Sequence, residues 1–205
     1  MEFNEANALI DKIGAVSIME IAERKYLFEL ASDKSNSPVM EVGAAAGGTT
    51  ILLAIAAGHC YALDSGRGED HRLWFHKNLA KANVQHLVDF LPADSVEAAG
   101  RFPDHFFGMV LVDAEHTGEN PYLDLMAWAP KVKPGGYLLA DDLRDGTPDV
   151  TIGVIRFLTE NHDFGYDRAF RRSQGGFEQV KLLSLKRNSA CGRVHNYNPP
   201  CKDEA

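Results

Sequence analysis

The 205-residue sequence has little cysteine, a deficit of basic charge and no long apolar run. Each shortage excludes something. Cys60, Cys191 and Cys201 are an odd, sparse set from which no disulfide framework follows. No stretch approaches the ~20 apolar residues that a membrane-spanning helix needs. Lys and Arg total 21 against 29 Asp and Glu, a net charge of −8, which argues against the basic stripe of a nucleic-acid binder. Arg168, Arg171 and Arg172 are clustered, and they read as the solvated edge of a strand. Met1-Glu2-Phe3-Asn4-Glu5 has no basic stretch leading into an apolar one. A cytoplasmic protein with neither a nucleic-acid nor a membrane partner is expected.

What is present is an ordinary share of apolar residues, 45%, enough for one sizeable core. Apolar periodicity predicts helix over 5–31, with a break at Gly14 to Ser17. From there the pattern alternates. Short apolar runs at Val39–Val42, Tyr61–Asp64, Leu87–Leu91, Met109–Asp113 and Tyr137–Ala140 read as strands, separated by helical stretches. Tyr166–Arg172 and Glu178–Leu185 read as a closing hairpin. The expected fold is therefore α/β, with a doubly wound, mostly parallel seven-stranded sheet and a C-terminal antiparallel hairpin. One domain is expected over 1–186, its first 34 residues a helical segment, followed by a polar tail over 187–205.

The most specific stretch is Glu41-Val42-Gly43-Ala44-Ala45-Ala46-Gly47-Gly48, where a strand ends in a glycine turn and a helix follows. Asp64 closes the next strand. Strand, glycine turn, helix, strand and acid are how an α/β protein grips an adenosine-type cofactor: glycines let backbone approach the ligand, and the acid takes ribose hydroxyls. The spacing is E-x-G-x-x-x-G-G, with alanine where a dinucleotide fingerprint has its second glycine.

That turn resembles the first motif of class I S-adenosylmethionine-dependent methyltransferases. Three further passages are similar to the small O-methyltransferases of the macrocin, catechol and caffeoyl-CoA type. They are Leu111-Val112-Asp113-Ala114-Glu115-His116, Val132-Lys133-Pro134-Gly135-Gly136 through Asp141-Asp142, and Phe90-Leu91-Pro92-Ala93-Asp94-Ser95. The pair Asp141-Asp142 is that of the macrocin type; catechol-type enzymes often have Asp-Asn there. The resemblance implies methylation of a small hydroxylated acceptor by S-adenosyl-L-methionine, leaving S-adenosyl-L-homocysteine. Dimerisation is also a property of that family.

The resemblance and the chemistry together name candidate residues. Gly43, Ala44 and Gly47 would lie against the cofactor. Asp64 with Ser65 would serve the ribose, and Asp94 and Ser95 would border the adenine. Glu41 either shapes the turn or reaches the cofactor amine. As alternatives, Asp64 starts a turn and Asp94 and Ser95 cap a helix. Asp113, Asp141 and Asp142 each follow an apolar run, so each is expected at a strand's carboxyl end. Three converging carboxylates repel, and a divalent cation, Mg²⁺ by ligand type, is the simplest remedy. It would also acidify an acceptor hydroxyl. In the alternative, Asp142 caps a turn and Asp113 alone faces the acceptor.

His116, three residues past Asp113, is the candidate base, with Asp113 as second choice in a metal-independent reaction. A solvent-facing loop histidine or an extra metal ligand is the alternative. A nicotinamide-linked oxidoreductase and an inactive cofactor-binding module are the competing classes. Trp74, Phe75 and Trp128 are expected in helix packing. Cys191, His195 and Cys201 have no usual zinc spacing.

Overall fold

The computed structural model describes residues 1–15, 17, 19–65, 69–143, 147–174 and 177–189. The predicted N-terminal helix is two helices, α1 (Phe3–Ile13) and α2 (Ile21–Ser32). The Glu5 carboxylate accepts from the Glu2 N–H (3.0 Å) and Glu23 from the Glu20 N–H (2.7 Å), so each helix begins on a glutamate clasp. Gly14, at φ 71°, ends α1 in the left-handed conformation.

The alternating section follows as β1 (Val39–Val42), α3 (Gly48–Ala57), β2 (Cys60–Leu63), α4 (Glu69–Ala82), β3 (Val88–Leu91), α5 (Ser95–Ala99), β4 (Phe107–Val112), α6 (Asn120–Trp128), β5 (Val132–Ala140) and α7 (Pro148–Glu160). The hairpin is β6 (Phe164–Gln174) and β7 (Phe177–Arg187). The strands form one sheet in the order β3-β2-β1-β4-β5-β7-β6. Its first five strands are parallel, and β7 is antiparallel to both β5 and β6.

Both faces of the sheet are covered. On β4, Val110 and Val112 join the core with Trp128 and Phe157, while Met109 and Leu111 join Leu27 and Leu53 on the opposite face. This two-sided burial explains why the central strands read as continuous apolar runs. Among the described residues, no helix is long and apolar enough to cross a membrane.

Two expectations change. The strand expected to begin at Tyr137 begins at Val132, so that Pro134-Gly135-Gly136, a turn-like sequence, lies inside β5. The pairing with β4 slips from Phe107↔Val132 to Met109↔Tyr137, so the glycines form an irregularity in the strand, with Gly135 at φ 79°. Arg187, placed at the start of the tail, ends β7 and binds the Val132 carbonyl. The Cys191, His195 and Cys201 tail and the turn at Gly66-Arg67-Gly68 lie outside the described residues.

Register positions the functional edge. Val42 pairs with Leu63 and with Val112, and Val112 pairs with Ala140. The residues that follow, Gly43, Asp64, Asp113 and Asp141, therefore emerge together at the carboxyl ends of β1, β2, β4 and β5. The strand order reverses between β1 and β4, where α/β sheets open a ligand crevice.

Candidate active site

The crevice has two parts. At the first, Gly43 sits at φ +98°, and a Cβ there would come within 1.9 Å of the Asp113 carbonyl oxygen. Only glycine fits, and the turn is thereby pressed against the end of β4. Gly47, at φ +84°, is backed by the Phe75 ring, 2.9 Å from where a Cβ would lie. The Gly43 and Ala44 amides both donate to the Leu63 carbonyl (2.8 and 2.9 Å). Asp64 Oδ2 accepts from the Ala45 amide at 2.8 Å, tying the acid after β2 to the turn. Ser65, next to it, is exposed.

Glu41 is 2% exposed, beneath the turn rather than in the crevice, and accepts the Thr50 hydroxyl. Burial pushes its carboxyl up to about 8, with the Thr50 bond opposing that and Asp113 and Asp64 adding to it. Asp94 caps α5, accepting from the Glu97 amide at 3.1 Å. Ser95 Oγ accepts from the buried Trp128 indole at 3.0 Å. It also bonds Asp124, whose carboxyl burial raises to about 6. Ser95 is thus turned toward the core. Phe75 is buried as expected, whereas Trp74 is exposed and stacks on His71.

At the second part, five ionisable groups alternate in sign. Asp113 Oδ1 is 3.2 Å from His116 Nε2, and His116 Nδ1 is 3.6 Å from Asp142 Oδ2. Asp142 Oδ1 is bonded by the Lys181 ammonium, which also donates to Asp141 Oδ2 at 2.8 Å. Burial lifts the Asp113 carboxyl, against the bond from His116. The bond to Asp113 raises the His116 imidazole above 6.5, although desolvation opposes it. Burial raises the Asp141 carboxyl to about 7, Asp113 adding to this and Lys181 opposing it. Desolvation of Lys181 is outweighed by Asp141 and Asp142, so its ammonium titrates above its ordinary value.

Lys181 was missed in the sequence, and a signal for it existed. Along β7, Leu183 and Leu185 point into the core with Trp128 and Phe157, and Lys181 shares their alternation. A lysine in step with two core leucines must find acids when buried. The antiparallel pairing Ala140↔Leu183 and Leu139↔Ser184, carried two residues further, sets Lys181 opposite Asp142. The Leu143 amide donates to the Lys181 carbonyl at 3.2 Å, continuing the ladder. Asp142 adopts φ +62°, a conformation Asp tolerates, and the Thr147 hydroxyl binds its carbonyl.

The trio Asp113, Asp141 and Asp142, expected to hold a divalent cation, already contains a positive charge. Asp141 and Asp142 already face an ammonium, and a doubly charged ion on Asp142 would lie within about 4–5 Å of it. At an effective dielectric of 20 that repulsion is roughly 7 kcal/mol. The described residues with ligand atoms within 4.8 Å of one another are instead Asp113, His116 and Asp142, which substitute an imidazole for a carboxylate.

Residues 40–143 match the family model described as "Methyltransferase domain". Among curated proteins none matches the sequence significantly. Similar solved structures include cofactor-bound Rv0187 from MTB (18% identity, TM-score 0.69), with 91% of this chain and 89% of that one covered. The O-methyltransferase from Bacillus cereus in complex with SAH is 18% identical, at TM-score 0.66 and 90% coverage of both chains. The O-methyltransferase TomG from Streptomyces achromogenes, in complex with SAM and involved in tomaymycin synthesis, is 19% identical. Its TM-score is 0.66, covering 92% of this chain and 89% of TomG. The chain belongs to the methyltransferase-domain family and has the class I S-adenosylmethionine-dependent methyltransferase fold.

Proposed function

We propose that the protein methylates a hydroxyl of a small molecule with S-adenosyl-L-methionine, using His116 as the general base and Asp113 to orient it. One observation carries this reading. The glycine turn touches the backbone of Asp113 at Gly43, and Asp113 Oδ1 is 3.2 Å from His116 Nε2. A donor seated on the turn would therefore lie beside the dyad. The solved relatives from Bacillus cereus and Streptomyces achromogenes, O-methyltransferases in complex with SAH and SAM, support the choice of cofactor and reaction.

Methyl transfer is an in-line displacement at carbon. The acceptor oxygen bonds the methyl carbon, the carbon–sulfur bond breaks, and its electron pair stays on sulfur. The acceptor hydroxyl must lose its proton. Asp113 holds Nε2–H, and Nδ1 takes that proton, the division of labour of other acid–histidine pairs. His116 and Asp113 side chains are 30% and 29% exposed, so the dyad is open to a ligand. Asp64, which the Ala45 amide ties to the turn, would take the ribose hydroxyls. Asp94 would border the adenine, while Ser95 holds that segment from the core side. Glu41 would act from beneath the turn. The Mg²⁺ expected from sequence has no part here, because Lys181 holds two of its three carboxylates.

The test is release of S-adenosylhomocysteine across a panel of small phenols, catechols and aliphatic alcohols. His116→Asn should lower turnover by about 10²-fold or more while product affinity stays unchanged. A variant as fast as the wild type would remove His116 from the reaction.

A further inference from the structure

We propose that Lys181 is the resident cation of this site, a positioning residue that holds Asp141 and Asp142 in place of a divalent metal. This deepens the methyl-transfer reading and rests on it only for its consequence; the charge argument stands on geometry.

Lys181 is 2% exposed, and its ammonium is shared between both carboxylates. A buried ammonium needs such partners, and buried acids need a cation. With Lys181 the order Asp113, His116, Asp142, Lys181, Asp141 alternates acid and base throughout. When His116 accepts a proton, the imidazolium is flanked by Asp113 and Asp142, and three negative charges then face two positive ones. Lys181 acts through Asp142, fixing its second oxygen toward His116 Nδ1. A metal ion on Asp141 and Asp142 would have to displace the ammonium of a lysine whose backbone the continued β5–β7 ladder sets opposite Asp142. Asp141 Oδ1, buried and without a partner among the described residues, lies at the wall of a small cleft lined by Val112, His116 and Val154.

The experiment is titration of the full chain with Mn²⁺ alone, reading free ion by electron paramagnetic resonance. Wild type and Lys181→Arg should leave millimolar Mn²⁺ free. Lys181→Met, which frees two carboxylates and keeps the side-chain volume, should gain binding by about tenfold or more. A purely structural lysine would produce no such gain. Submillimolar Mn²⁺ binding by wild type, lost in Asp142→Asn, would overturn the proposal. So would a folded Lys181→Met that binds no more tightly than wild type. Should Lys181→Met fail to fold, wild type and Lys181→Arg decide the matter. Calorimetry with S-adenosylhomocysteine on the same wild-type preparation separates the two readings: binding of both ligands overturns only the role of Lys181, and binding of neither overturns only the methyl-transfer reading.

Discussion

Glu41 and Asp141 are both buried carboxyl groups below the same sheet edge, and the chain handles them in opposite ways. Glu41, under the glycine turn, has a hydroxyl partner and is pushed toward the neutral form, to about 8. Asp141, at the acid cluster, has an ammonium partner, and burial with Asp113 beside it still raises its carboxyl to about 7. One region meets burial with a neutral hydroxyl partner and the other with a fixed cation. A neutral Glu41 lets the turn approach β4 without charge repulsion. A paired Asp141 and Asp142 keep an ionic network next to His116. The same functional group thus supports backbone shape in one region and an ionic network in the other.

The comparison breaks most readily at Lys181. Lys181→Ala leaves buried acids without a counter-ion, and stability near neutral pH should fall by about 3–5 kcal/mol in urea unfolding. The deficit should shrink in acid as Asp141 takes up a proton. An equal loss at all pH values would mean that packing, not charge, is what Lys181 provides.

Glu41 gives the next largest effect, with a defined sign. Its folded-state carboxyl lies near 8 and its ordinary value is 4.5. The folded state thus holds the proton more tightly. Its stabilising contribution is complete below 4.5 and is lost as pH rises toward 8. Glu41→Gln removes that dependence. Relative to wild type the variant should gain roughly 3 kcal/mol between about pH 5 and pH 8. A difference that does not change with pH would show Glu41 to be ionised in place.

Asp64 lies on the turn side, bonded to the Ala45 amide, and the proposed cofactor role makes ligand affinity its readout. Asp64→Ala should weaken S-adenosylhomocysteine about tenfold or more, as expected for lost hydrogen bonds to a charged group, with unfolding little changed. The smallest effect is a shift in the pH profile. The acid limb of turnover should fall above the ordinary histidine value of 6.5, because Asp113 raises His116, and Asp113→Asn should move it back down. An unmoved limb would assign it to another group.

The two regions also differ in how much of them could be read in the sequence. The glycine turn and Asp64 are local: β1, turn, α3 and β2 are contiguous, and a parallel sheet brings successive strand ends to one edge. Asp113 and Asp141-Asp142 could be placed by the same logic. Lys181 could not be read that way, because its position depends on the register of an antiparallel strand some 40 residues downstream. The extension of β5 through Pro134-Gly135-Gly136 was hidden for a similar reason. Local turn chemistry marks those residues as a bend, while pairing with β4 on either side of them, at Val132 and Tyr137, keeps them within one strand. Ser95 begins α5, and its bond to Trp128 crosses from α5 to α6 and has no sequence signature.

The most direct test of the account is calorimetric titration of the wild-type chain with S-adenosylhomocysteine in the presence of a chelator. Saturable one-site binding, abolished or strongly weakened in Asp64→Ala, is the result predicted for a cofactor seated on the Gly43–Gly47 turn without metal. No heat of binding at millimolar ligand, or equal affinity in Asp64→Ala, would contradict it.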